Sequence, residues 1–140
     1  MSIAAVLLPV FVQVTLIFVL MVRMGRARVA AVRRGEAKLG SIALGEPNWP
    51  ADVMKTANAF NNQFQLPVLF MLLVAFAWAT RKADLLFVLM SWAFVLSRVA
   101  HAFIHVTSNV VLTRFRLYVA GGLVLMAMWA IFAARIFTGL

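Results

Sequence analysis

The chain has 140 residues, 65% of them hydrophobic and 12% charged, and a mean hydropathy of +1.00. A soluble domain of this length has too much surface for its volume to hide that apolar fraction, so lipid must solvate much of it. Thirteen basic and four acidic residues give a formal charge of +9, and with no cysteine there is no disulfide framework, thiolate metal site or protein thiol nucleophile.

Met1 to Val22 carries no charged side chain. About 20 residues suffice to cross a hydrocarbon core, so a first membrane helix is expected over about 1–24. Its positive flank follows it and no basic residue precedes it, which is not the order of a signal peptide. Pro9 and Gln13 are mild interruptions, and a membrane helix tolerates proline where its neighbours satisfy the freed carbonyl.

Residues 23–55 form the one long polar stretch, with Arg23, Arg26, Arg28, Arg33, Arg34, Lys38 and Lys55 against Glu36, Glu46 and Asp52. The first part, to about Lys38, can continue the first helix beyond the membrane. Gly35, Gly40, Ser41, Gly45, Pro47 and Pro50 then mark a loop. Trp49 is placed as an interfacial anchor. Asp52 is expected to cap the next helix. Basic charge concentrated beside apolar spans reads as membrane orientation and contact with anionic headgroups, not as a nucleic-acid interface.

The second span is expected over about 52–80. Its first half carries Asn58, Asn61, Asn62 and Gln65 at helical spacing, a polar stripe about two turns long, with Gln63 off that face. Pro67 should kink the helix and leave the Gln63 carbonyl without its helical donor. The short turn Arg81, Lys82, Ala83, Asp84 joins it to a third span over about 85–108, making an antiparallel hairpin. Val110 to Arg116 reads as a connection, and a fourth span follows over about 114–136. Gly121 and Gly122 in that span permit close helix approach. The whole is a single all-α membrane domain, 1–140, built as a four-helix bundle.

Four spans put both termini on one side. Seven Lys and Arg in the first loop join Arg114 and Arg116, against Arg81, Lys82 and Arg135 opposite. The long loop is therefore expected in the cytoplasm and both termini outside it. On that topology the Asn/Gln stripe, Arg98 to His105, and Arg114 to Tyr118 all fall in the inner half of the bundle, while the outer half stays apolar.

The stretch from Ser97 to Tyr118 is where ionisable groups enter the spans. Arg98, His101 and His105 share one helical face. Arg98 lies close enough to the span's end to snorkel. The histidines fit either packing roles or a ligand-facing role, and two of them at this spacing with no nearby Cys, Asp or Glu make no metal site. The stripe on the second span fits interhelical hydrogen bonding as well as ligand binding. There are no paired carboxylates, no Ser/His/Asp set and no glycine-rich phosphate loop, so the pattern points away from protein-based nucleophilic or metal chemistry. A bound thiol cosubstrate would supply the nucleophile, since an arginine near its sulfur favours the thiolate.

These residues, in this order, resemble the MAPEG family, the membrane-associated proteins in eicosanoid and glutathione metabolism, and especially its bacterial members. The likeness rests on four spans, a basic first loop, NNQFQLP at the start of span two, R-x-x-H-x-x-x-H on span three and TRFRLY at the start of span four. It implies a homotrimer in the bacterial inner membrane, with glutathione as cosubstrate at subunit interfaces facing the cytoplasm. It implies Arg114 as the thiolate-stabilising catalytic residue, and Arg98, His101, His105, Asn61, Gln65 and Tyr118 as glutathione-binding residues. His105 stands where the family usually has tyrosine, and Phe64 where it has a glutamate that holds the ligand's amino end.

Two functions follow from the resemblance. One is a glutathione-dependent transferase or peroxidase acting on hydrophobic electrophiles or lipid hydroperoxides. The other is a non-catalytic membrane protein that binds an anionic lipid or amphiphile at the subunit interface. A proton path through His101 and His105 is a weaker third reading, because no polar track crosses the outer half. The implied partners are further copies of the chain, membrane lipids and a hydrophobic small molecule, without nucleic acid.

Overall fold

A computed structural model describes residues 1–45 and 47–139; Glu46 of the expected loop and Leu140 lie outside the described residues. Five helices carry the described chain: α1 (Ile3–Arg33), α2 (Ala51–Asn61), α3 (Leu66–Ala79), α4 (Leu85–Val106) and α5 (Val111–Thr138). No strand occurs among the described residues. With α2 and α3 taken together as Ala51–Ala79, four helical segments are long and apolar enough to cross a membrane.

The 31 residues of α1 continue nine residues past the expected end at 24. At about 1.5 Å per residue its last turns project beyond a hydrocarbon core about 30 Å thick. Ser2 caps it by accepting from the Ala5 N–H, and Pro9 sits within it without ending it. The helix stops at Gly35, whose φ of +74° is the left-handed conformation of a helix C-terminus. In the following loop the Arg28 guanidinium lies 5.2 Å from the Trp49 ring centre, so Trp49 packs on the extended end of α1. Pro50 occupies the N-cap position of α2, and Asp52 sits in the first turn, where its charge favours the helix dipole, instead of capping.

Pro67 does more than kink the second span. Helix α2 ends at Asn61, a 3-10 turn covers Asn62–Phe64, and α3 starts afresh at Leu66. Pro67 then lies in a first turn, where its missing N–H costs nothing. This break rotates everything after Asn61 relative to a continuous α-helix. Further on, α4 is capped by Asp84, which accepts from the Phe87 N–H at 2.9 Å. Asn109, at φ +53°, turns the chain, and α5 begins at Val111, three residues before the expected start of the fourth span at about 114.

The bundle's apolar end is a continuous core. Val6 of α1 and Phe70, Leu73 and Val74 of α3 meet Phe87, Phe94 and Val95 of α4 and Leu125 of α5. Phe70 and Phe94 are fully buried with ring centres 4.8 Å apart. Helices α4 and α5 pack closely at Gly121, which faces the Ser97 hydroxyl. The opposite end holds a much smaller apolar cluster around Leu20, Ala59 and Ala102.

Candidate functional site

Polar side chains are buried at this second end. Gln63 is fully buried, on the face that Thr56, Ala59 and Pro67 also bury, and off the face of the Asn/Gln stripe as the α-helical spacing put it. The Gln13 side-chain amide donates to Gln63 Oε1 at 2.9 Å, and Gln63 Nε2 donates to the Ala59 carbonyl at 3.0 Å. This pair ties α1 to the end of α2.

Arg98 is fully buried. It does not snorkel; its guanidinium turns into the bundle, 5.4 Å from the centre of the Tyr118 ring. Arg98 Nη2 donates to His101 Nδ1 at 3.0 Å and lies 3.4 Å from Asn62 Oδ1, while Nε and Nη1 have no partner among the described residues. His101 packs edge-on against His105, with ring centres 5.6 Å apart, and lies 6.0 Å from Tyr118. His105 is buried, and its Nδ1 has no partner among the described residues.

A cleft of about 210 Å³ opens beside this cluster, lined by Asn62, His101, Val111, Arg114, Phe115 and Tyr118. Arg114 is half-buried and donates through Nη1 to Asn109 Oδ1, which ties its guanidinium to the turn preceding α5. Val110, at the N-cap of α5, offers no side-chain acceptor, so the first-turn N–H groups of α5 lie uncapped next to Arg114.

Of the residues singled out in the sequence, Arg114, His101 and Tyr118 share the cleft wall. Arg98 stands behind it, bonded to His101 and within reach of Asn62, and His105 stands behind it against His101. Asn61 and Gln65 are exposed on the single chain and line no part of the cleft; the stripe residue facing Arg98 is Asn62. Gln65 lies in the break between the helices, at φ −103° and ψ −108°, outside both α2 and the 3-10 turn. Arg116 is exposed and outside the cleft. Sequence reading missed Asn109 as the anchor of Arg114 and the pairing of Gln13 with Gln63. For Gln13, the available signal was an amide alone in an apolar span, which needs a partner on another helix.

Both ion pairs among the described residues lie elsewhere: Arg34 with Glu36 at 2.7 Å in the loop, and Arg135 with Asp84 at 2.6 Å at the apolar end. Among the described residues no group of three His, Cys, Asp or Glu side chains is placed to hold a metal ion. The cleft is therefore cationic, amide- and imidazole-lined, and bordered by the apolar side chains of Val111 and Phe115.

Fold and cleft together define an all-helical, four-span integral membrane protein with a cationic site between its third and fourth spans. The chain belongs to the MAPEG family, whose model matches residues 6–134. That places it among the membrane proteins of eicosanoid and glutathione metabolism. Comparison with curated proteins and with solved structures finds no match.

Proposed function

We propose that the protein is a glutathione-dependent transferase or peroxidase acting on hydrophobic electrophiles or lipid hydroperoxides. The observation that carries this reading is the sharing of one cleft by Arg114, Tyr118, His101 and Asn62, with Val111 and Phe115 at its border. A polar thiol and an apolar second substrate can meet there. Arg114 favours the glutathione thiolate by charge, and Tyr118, His101 and Asn62 hold the tripeptide. In transfer, the sulfur forms a C–S bond and the leaving group departs with the electron pair. In peroxide reduction, two glutathione molecules become the disulfide while the hydroperoxide becomes alcohol and water.

The same proposal includes a homotrimer with the cleft facing the cytoplasm and both termini outside. It is supported by Asn58, Asn61 and Gln65, which are exposed on a span and make no side-chain hydrogen bond within the chain among the described residues. In a membrane such amides need partners, and a neighbouring subunit supplies them. The basic loop argues for the orientation.

A second reading, binding of an anionic lipid or amphiphile without catalysis, is favoured by the absence of any acidic side chain from the cleft lining. Ultraviolet thiolate absorbance and conjugation of an aryl halide by the purified protein separate the two. Arg114→Ala is expected to lower conjugation about 100-fold, the scale of removing one donor to a developing or resident anion. Equal thiolate signal and equal turnover in wild type and Arg114→Ala would overturn the enzymatic reading.

A further inference from the structure

The position of Arg98 behind the cleft, not in it, has a chemical consequence. An arginine side chain has five N–H donors and no acceptor. A ring nitrogen 3.0 Å from Arg98 Nη2 must therefore offer its lone pair, which makes His101 Nδ1 the acceptor. A neutral imidazole carries its single proton on the other nitrogen, so His101 faces its surroundings with an Nε2–H donor. The same reasoning applies to Asn62. Its Oδ1 faces Arg98 at 3.4 Å, which leaves the Nδ2 amide hydrogens for the cleft.

The remaining wall groups act in the same sense. Arg114 is a donor only, and Asn109 takes one of its N–H groups. The N-terminus of α5 adds uncapped N–H groups beside Val111. Tyr118 contributes the one wall hydroxyl among the described residues, which both donates and accepts. Meanwhile the Arg98 charge is buried, with Nε and Nη1 unpartnered and no acid in an ion pair with it among the described residues. Charge of this kind in a membrane is stabilised by an anion nearby.

We propose that Arg98 is a positioning residue that converts the cleft into a donor-lined anion site: by occupying the acceptor atoms of His101 and Asn62, it selects ligands presenting carboxylate, phosphate or thiolate and rejects those presenting a protonated amine. This rests on the same cleft as the glutathione reading and specifies it. Glutathione would enter by its anionic groups, with its ammonium outside the wall formed by this chain.

The test has two parts. In uniformly nitrogen-15-labelled protein in micelles, His101 is expected as the neutral tautomer with Nε2 protonated, assigned by comparison with His105→Asn. A protonated Nδ1 in wild type overturns the proposal by itself. Arg98→Met is expected to release this preference into a tautomer mixture. Arg98→Lys, which keeps the charge and loses the planar fork, serves if the methionine variant does not fold. An unchanged tautomer in whichever variant folds overturns the positioning role.

The second part follows the His101 signal during titration with glutathione, N-acetylglutathione, glutathione diethyl ester, dodecyl phosphate and dodecylammonium. N-acetylglutathione is expected to bind at least as tightly as glutathione, the diester about tenfold or more weakly, and dodecyl phosphate with at least about tenfold preference over dodecylammonium. If dodecyl phosphate alone binds, the glutathione reading fails and the donor-lined cleft stands, occupied from the lipid. If glutathione binds but N-acetylation weakens it about tenfold, or dodecylammonium competes, the anion selectivity fails and the glutathione reading stands. Binding of none of the five overturns both.

Discussion

The two ends of this bundle solve the same packing problem with opposite materials. At one end Phe70, Phe94, Leu73, Val95 and Leu125 interlock, and the charge pair of Arg135 with Asp84 sits at the surface. At the other end the interior holds Gln13, Gln63, Arg98, His101 and His105, and the apolar cluster shrinks to a few small side chains around Leu20. Apolar packing tolerates reshuffling of similar volumes. Buried polar groups tolerate almost none, because each unpaired donor or acceptor carries its full desolvation penalty. The apolar end is thus the part that holds the helices together, and the polar end is the part that fixes their exact registers and leaves a cleft.

Substitutions can break that contrast or sharpen it. The largest loss is expected from Phe94→Ala, which empties a fully buried ring site stacked on Phe70. Unfolding in mixed micelles should report about 3–5 kcal/mol of destabilisation, while the His101 signal still responds to dodecyl phosphate. Loss of that response at temperatures where the variant is folded would show that the two ends are not separable.

At the polar end, Gln13→Leu is expected to cost about 1–3 kcal/mol by leaving buried Gln63 Oε1 without its donor. The double variant Gln13→Leu, Gln63→Leu should recover most of this loss, because no buried amide is then orphaned. A double-mutant cycle showing simple additivity would mean that the pair does not couple α1 to the helix break.

A smaller effect is expected where the two ends join. A methyl at Gly121 would collide with the Ser97 hydroxyl, which donates to the Phe94 carbonyl at 2.6 Å. Gly121→Ala should force that hydroxyl to rotate and cost about 1 kcal/mol, the scale of one hydrogen bond. Ser97→Ala in the same chain should remove the penalty. If it does not, the close approach of α4 and α5 involves more than this one contact.

The smallest effect belongs to the Asp84–Arg135 pair, an exposed contact expected to contribute about 0.2–1 kcal/mol. The hydrogen bond from Arg135, and further that from the Phe87 N–H, hold the Asp84 carboxyl below its ordinary value. A carboxyl depressed by folding adds stability above its unfolded pKa and loses it as pH falls through the lower folded value. Asp84→Asn, which keeps the helix cap, should therefore be less stable than wild type at neutral pH. The difference should close under acid, below the ordinary carboxylate range. A gap that widens with acid would contradict this.

Much of the fold was legible because it depends on local properties. Uncharged runs marked the spans, Pro67 marked the interruption, Gly35 lies where α1 stops, and Asp84 preceded the third span. The site was only partly legible. Arg114, His101 and Tyr118 were recognisable as ionisable or hydroxyl groups near the ends of two adjacent spans. Asn62 was indistinguishable from Asn61, because both are amides at the end of α2 and the sequence does not fix how that helix is rotated in the bundle. Adjacent residues point about 100° apart on a helix, so the rotation of α2 against α4 decides which of the two amides meets Arg98. The depth of Arg98 was open for a similar reason. Snorkelling and burial use the same sequence position, and the choice depends on whether Tyr118 and Asn62 of other segments meet the guanidinium.

By itself the sequence determined that this is a membrane-spanning helical chain, how many times it crosses, and that its polar chemistry collects at one end. Those properties follow from the transfer of side chains and backbone between water and lipid, which acts on each segment separately. The tertiary structure decided which polar atoms meet. It paired Gln13 with Gln63, set Arg98 behind His101 and Asn62, and left Arg114 and Tyr118 on the open wall. Hydrogen bonds between segments far apart in the chain depend on helix rotation and register to within about 1 Å, and that accuracy arises only when all four spans pack together.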